Sequence, residues 1–177
     1  MKELKRGDTL QVTIEAATVD GTGIARVDGQ VVFVPGALPG ELCRIRIAHI
    51  GRSAVFAELL RVEQPSAHRV EPDCPYFPKC GGCALRHMDY TQELELKRTH
   101  VHSCLTRIGG QTLASLPITG AEQTDGYRNK VQFPVAEEKR GLAIGYYRPR
   151  SHDVLDAPDC LLQPLTVTAL RRAVKNW

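Results

Sequence analysis

Three cysteines crowded into ten residues, with a fourth far downstream, constrain this chain more than any other feature. The run Cys74-Pro75-Tyr76-Phe77-Pro78-Lys79-Cys80-Gly81-Gly82-Cys83 is followed by Cys160 with 76 residues intervening. Thiolates are ligands for soft metals, and prolines and glycines let a short loop wrap a centre a few ångströms across. Gly81 and Gly82 free backbone N–H groups to point at sulfur. A remote fourth ligand ties two segments together, so metal binding would contribute directly to folding.

Two centres suit four thiolates. Structural zinc usually takes its ligands as two close Cys-x-x-Cys pairs, whereas a close triplet plus one distant cysteine is more typical of a cubane. The spacing therefore predicts a 4Fe-4S cluster on Cys74, Cys80, Cys83 and Cys160, with zinc as the alternative. A disulfide framework is disfavoured: the chain opens Met-Lys-Glu-Leu-Lys-Arg with no apolar leader, so a reducing, cytoplasmic setting is expected. Cys43 and Cys104 sit in strand-like and helix-like patterns and read as small buried hydrophobes.

The chain has 177 residues, 42% hydrophobic and 24% charged, which suits one ordinary domain or two small ones. It carries no run long enough to span a bilayer, and no membrane partner is expected. A net charge of +3 says little, but placement says more. Arg44, Arg46, Arg52 and Arg61 form one basic stretch, and Arg128, Lys130, Arg148 and Arg150 another. Cations on adjacent strands make a local positive face in a nearly neutral protein. For any single one of them, an ordinary solvated charge is an equally good reading.

Residues 1–63 read as an all-β barrel of five short strands. Leu10, Val12 and Ile14 alternate with polar residues, and Gly23–Val27 joins Val31–Val34 through Asp28-Gly29, a strong hairpin signal. The stretch 35–40 breaks the sheet; strands over Leu42–Ile50 and Arg52–Val62 resume it. Arg44 and Arg46 share a face by alternation, and Arg52 is expected to open the last strand. With Phe33 and Phe56 as the barrel's aromatics, nucleic-acid binding is expected to lean on phosphate contacts.

A polar linker is expected over 64–73, then a small α+β region over 74–177. Its clearest helix starts at Asp89 as N-cap and ends at Gly109-Gly110; His100 and His102 lie on different sides of it and are not paired ligands. Strands are predicted at Leu116–Ile118, Lys130–Val135, Leu142–Tyr147 and near His152–Leu155, the last leading to Cys160. A helix follows from Pro164 to Trp177, and its uncapped apolar end suggests a piece of a longer protein.

The run Gly21-x-Gly23-Ile24-Ala25-Arg26-x-x-Gly29-x-Val31-Val32-Phe33-Val34-Pro35-Gly36-Ala37-Leu38-Pro39-Gly40-Glu41 resembles a TRAM domain, an OB-like RNA-binding barrel. With the cysteine loop, Tyr90-Thr91-Gln92-Glu93-Leu94, Gly126-Tyr127-Arg128-Asn129-Lys130 and Asp156-x-x-x-Cys160-x-Leu162, residues 7–177 resemble the RumA/RlmD-type 23S rRNA (uracil-5-)-methyltransferases.

That resemblance implies a 4Fe-4S cluster on the four cysteines, a TRAM barrel gripping rRNA, and a C-terminal Rossmann-like domain that binds S-adenosylmethionine and carries a nucleophilic cysteine and a base. Such a methyl-donor site needs a strand, a Gly-rich turn and a helix, and no such unit is legible between Met1 and Trp177. The chain alone is therefore expected to bind and position RNA without methylating it. The candidate RNA-contacting residues are Arg44, Arg46, Arg52, Arg128, Lys130, Arg148 and Arg150. Alternatives are a stand-alone RNA-binding module with a structural metal site, or part of a tRNA uracil-5 methyltransferase. A radical methylthiotransferase fits less well, because its triplet is Cys-x3-Cys-x2-Cys and its barrel lies at the other end.

Overall fold

The computed structural model describes residues 4–138 and 141–177. One compact unit holds the described residues up to Glu71 together with His87–Ile118; the other holds Pro72–Arg86 and Thr119–Trp177. The units interleave along the chain, where the sequence suggests a single linear boundary at 64–73. A short ladder accounts for this: Val70 N–H donates to His87 O (3.1 Å), Asp89 N–H donates to His68 O (2.9 Å), and Arg69 bridges Met88. The cysteine loop is thus an excursion whose two ends are pinched together.

The first unit is a six-stranded sheet: β1 (Thr9–Thr13), β2 (Ala16–Ala17), β3 (Thr22–Val27), β4 (Gln30–Pro35), β5 (Leu42–Ile50) and β6 (Val55–Gln64), in the order β1-β5-β6-β4-β3-β2. Its edge strands, β1 and β2, are separated in sequence by Ile14 and Glu15 alone, so the sheet must curl until its edges approach. Glu15 N–H closes the gap by donating to Ile24 O at 2.8 Å. Alternation sends Val12, Ala25, Val32, Val34, Cys43, Ile45, Ile47, Val55 and Ala57 inward to one apolar cluster with Ile14. Gly23 permits a close approach there, since a Cβ would meet Ala37 O at 2.8 Å.

The Asp28-Gly29 hairpin is as expected: both residues have positive φ, 48° and 82°, and Val27 pairs with Gln30. Two expectations for this sheet need correction. The two-residue β2 is too short to give a periodic signal. Arg52 does not open a strand; it lies in the turn closed by Gly51 N–H on Ala54 O, and β6 starts at Val55.

The helix α1 (Tyr90–Ser103) begins as the sequence predicts, with Gln92 N–H donating to the Asp89 side chain at 2.8 Å. It runs into a π-helical segment, Cys104–Ile108, before Gly109 and Gly110. Residues 116–118 form no strand; Pro117 has no N–H to give a ladder.

The second unit carries an antiparallel sheet, β7 (Val135–Glu138), β8 (Gly141–Tyr147) and β9 (Val154–Asp156), followed by α2 (Leu165–Asn176). The strand expected over Lys130–Val135 starts only at Val135, directly after Pro134. Phe133 instead packs its ring on Tyr146, with centroids 5.7 Å apart. Gly145 is required by its surroundings: a Cβ would lie 1.9 Å from Leu155 O. Pro164 sits at the N-cap of α2, one position earlier than a first helical residue. Arg171 of α2 is buried and donates twice to Ile144 O, at 2.9 and 2.6 Å, while pairing with Asp156.

Candidate functional site

All four predicted ligands line one pocket of the second unit. Cys74, Cys80, Cys83 and Cys160 share its wall with Tyr76, Phe77, Arg128, Tyr146 and Leu162. None of the four is in a disulfide. The loop is held by its own backbone: Phe77 N–H donates to Cys74 O, Cys80 N–H to Tyr76 O, and Gly81 N–H to Tyr147 O at 2.9 Å. Gly81 must be glycine for that last approach, because a Cβ would sit 2.8 Å from Tyr147 O. Arg86 clamps the loop's far end with a two-pronged contact to Asp73 (3.0 and 2.9 Å) and a further one to Asp125.

Four free cysteines on one pocket wall are the donor type that a soft metal centre takes. Gly82 N–H lies 3.4 Å from Cys80 Sγ, a contact that favours a thiolate. Burial pushes the Cys80 and Cys83 thiols above the ordinary value, opposed by the Gly82 N–H at Cys80 and by Arg86 at Cys83. The Tyr146 hydroxyl is also raised, by burial first and then by its contact with Cys160. Among the described residues, no three His, Cys, Asp or Glu side chains are grouped as they would be to hold a metal ion.

Cys43 is fully buried, and its thiol is pushed up to about 11 by burial and then by the Glu41 carboxylate. That suits packing and not nucleophilic attack. Cys104 Sγ stands 3.7 Å from His100 Nε2 on the exposed side of α1, while His102 Nε2 contacts Leu113 O at 3.0 Å. The two histidines thus have separate neighbours, as their spacing suggests.

The basic residues are distributed differently from the sequence expectation. Arg44 and Arg46 do share the outer face of β5, but each meets a carboxylate on β6: Glu63 at 3.2 Å and Glu58 at 2.6 Å. Neither Arg128 nor Lys130 is in a strand, because β7 begins later, and Arg148 and Arg150 occupy the turn after β8. Arg128 is half-buried and faces the cysteine pocket, with its backbone N–H on Leu162 O at 2.9 Å. Lys130, Arg148 and Arg150 are exposed, and Arg150 has a positive φ of 57°.

Sequence reasoning missed the pocket's tyrosines and the Glu41–Arg69 pair. Tyr146 had a signal, since alternation along β8 puts it on the side opposite Tyr147. Glu41 is wholly buried and takes N–H bonds from Leu38 (2.8 Å) and Ser66 (3.3 Å) and a fork from Arg69 (2.5 and 2.8 Å). Burial alone would raise its pKa, but Arg69 and these donors together hold the carboxyl below its usual range.

Comparison with known proteins supplies the class. Residues 3–60 match the TRAM domain. An uncharacterized RNA methyltransferase of Halalkalibacterium halodurans is 40% identical over 98% of this chain, and one of Clostridium tetani is 36% identical over 98%. The chain thus carries a TRAM match in its curled sheet and is similar, over nearly its whole length, to proteins described as RNA methyltransferases. The chain spans 38% of the length of those curated relatives. Its fold matches a crystal structure of Pyrococcus abyssi tRNA (uracil-54, C5)-methyltransferase in complex with S-adenosyl-L-homocysteine, with a TM-score of 0.61 and 24% identity, over 94% of this chain and 36% of that one. No helix of the described residues is long and apolar enough to cross a membrane.

Proposed function

We propose that this chain is the RNA-binding, 4Fe-4S-bearing part of an S-adenosylmethionine-dependent RNA (uracil-C5)-methyltransferase acting on 23S rRNA. The observation that carries the reading is that kinship to RNA methyltransferases runs through both the TRAM sheet and the cysteine unit, over 98% of the chain. In this reading the OB-like barrel grips RNA and the small α+β region positions it. The methyl donor and the nucleophile belong to a domain outside residues 1–177, consistent with the greater length of the relatives. The protein works in the cytoplasm, where thiols stay reduced.

Cys74, Cys80, Cys83 and Cys160 would hold the cluster, and the support is that all four line one pocket as free thiols. When bound, it supplies metal–thiolate bonds that fasten the loop 74–83 to the segment carrying Cys160. The residues of this chain do the rest. Arg86 and Gly81 fix the loop, Gly82 donates to a ligand sulfur, and Lys130, Arg148, Arg150 and Arg52 offer exposed cations to phosphate, with Arg44 and Arg46 joining by exchanging their carboxylate partners.

Three measurements test this. Protein purified without oxygen should contain iron and sulfide and show a broad brown absorbance shoulder; a colourless, zinc-loaded sample would overturn the cluster assignment. Binding of single-stranded RNA should weaken with salt at a log–log slope of roughly −3 to −4 if about four to six cations meet phosphate. A slope near zero would remove RNA binding. Competition between 23S rRNA fragments and tRNA decides the target, and preference for tRNA would replace the rRNA assignment.

A further inference from the structure

The outer face of the first unit's sheet carries a row of rings that phosphate contacts leave unexplained. Phe33 on β4 and Phe56 on β6 stand opposite each other where these strands run parallel. Their centroids are 5.5 Å apart and their planes differ by 25°. His49 on β5, opposite Phe56, extends the row at 6.2 Å and 34°. On the other side Ile24 of β3 stands opposite Phe33. Alternation turns this row away from the core: the flanking Val32, Val34, Val55 and Ala57 are at most 5% exposed, whereas Phe56 is 42% exposed.

The row's surroundings are charged. Arg26 lies two positions along β3 from Ile24, on the same face, and the Arg46–Glu58 pair lies on the other flank. Arg52 occupies the turn joining β5 to β6, between His49 and Phe56 in sequence, exposed and outside the ion pairs that engage Arg26, Arg44 and Arg46. A broad apolar protein partner would have to bury those charges. A nucleotide chain matches both parts, since its bases have flat π faces and its backbone is anionic.

We propose that Phe33, Phe56 and His49 form a base-stacking site for single-stranded RNA, with Arg52 meeting the backbone beside it. This rests on the RNA-binding reading above and adds to it a sequence-tolerant contact that salt does not screen. Its specific consequence is that bases, and not phosphates alone, contribute to affinity.

The test compares a labelled oligouridine with an abasic oligomer of equal length and charge, each titrated against the whole chain at fixed salt and followed by fluorescence anisotropy. Wild type should bind oligouridine more tightly than the abasic strand. Phe56→Ala should weaken oligouridine binding about tenfold, leaving the abasic affinity and the salt slope unchanged. Phe56→Trp should retain binding, whereas Phe56→Leu, which keeps apolar bulk without a π face, should lose as much as Phe56→Ala. Because this side chain is part-exposed, the variants should keep the wild-type circular dichroism and melting temperature. Equal affinity for both oligomers, or wild-type affinity in Phe56→Leu, would overturn stacking and leave phosphate-driven RNA binding standing. Failure of wild type to bind either oligomer would instead remove the RNA-binding reading itself. A change in self-association on Phe56→Ala with RNA affinity intact would mark the row as a protein contact and also overturn the proposal.

Discussion

The two compact units are held by different forces. The first has a dozen apolar side chains in one cluster, several of them, such as Ala25, Val32, Val34 and Ile45, with no exposed surface. Among its described residues the second buries few: Ala143, Ile144, Val154, Ala157 and Leu162. In their place it uses charged pins, Arg171 on Ile144 O and Asp156, and Arg86 on Asp73 and Asp125. Units of fewer than about 70–80 residues rarely stabilise themselves by core burial alone and commonly add a staple. A thiol-lined pocket is where such a staple would act, so the two units should respond to perturbation in opposite ways.

The largest expected contrast comes from Cys160→Ser. Limited proteolysis should cleave the segment 119–177 and iron content should fall, while the sheet of the first unit stays resistant. A second unit that remains compact after losing its iron would erase the contrast. Next, Arg69→Ala should cost the first unit about 3–5 kcal/mol in denaturant unfolding, because it strands the Glu41 carboxylate in the core. Pairing it with Glu41→Gln should recover part of the loss, and no recovery would mean the arginine acts through packing.

A pH scan sharpens the comparison further. His87 is 3% exposed and its pKa is lowered from 6.5 to about 4, by burial first and then by Arg69. Between those values the unfolded chain takes up a proton that the folded one refuses. Stability should therefore fall as pH drops from about 6.5 toward 4, by about 3 kcal/mol at the acid end. His87→Gln should flatten that limb for the first unit; an unchanged limb would assign the acid loss to other groups. The smallest effect is Arg46→Ala, which removes an exposed pair with Glu58 and should shift stability by less than about 1 kcal/mol.

What the sequence made legible follows the same division. The curled sheet was readable because alternation and the Asp28-Gly29 turn are local signals, and the helix start because Asp89 caps it within three residues. The convergence of the four cysteines on one pocket was suggested by residue type and spacing. The cations were read less well. Glu58 and Glu63 reach Arg46 and Arg44 only through strand pairing, which a linear reading does not contain. Pro134 and Pro117 carried a warning against the strands expected around them. The rings of Phe33, Phe56 and His49 are 23 and 7 residues apart in sequence and become neighbours only through β4, β6 and β5.

The pinched ladder at residues 68–70 and 87–89 has a bearing on biosynthesis. Both its sides leave the ribosome before Cys160, so the loop bearing Cys74, Cys80 and Cys83 can be closed at its base as soon as His87 to Asp89 emerge. Cys160 follows Cys83 by 77 positions, a translation delay of about 4–15 s. Until then the pocket lacks the wall that Cys160 supplies, and the three earlier thiols wait without their fourth neighbour.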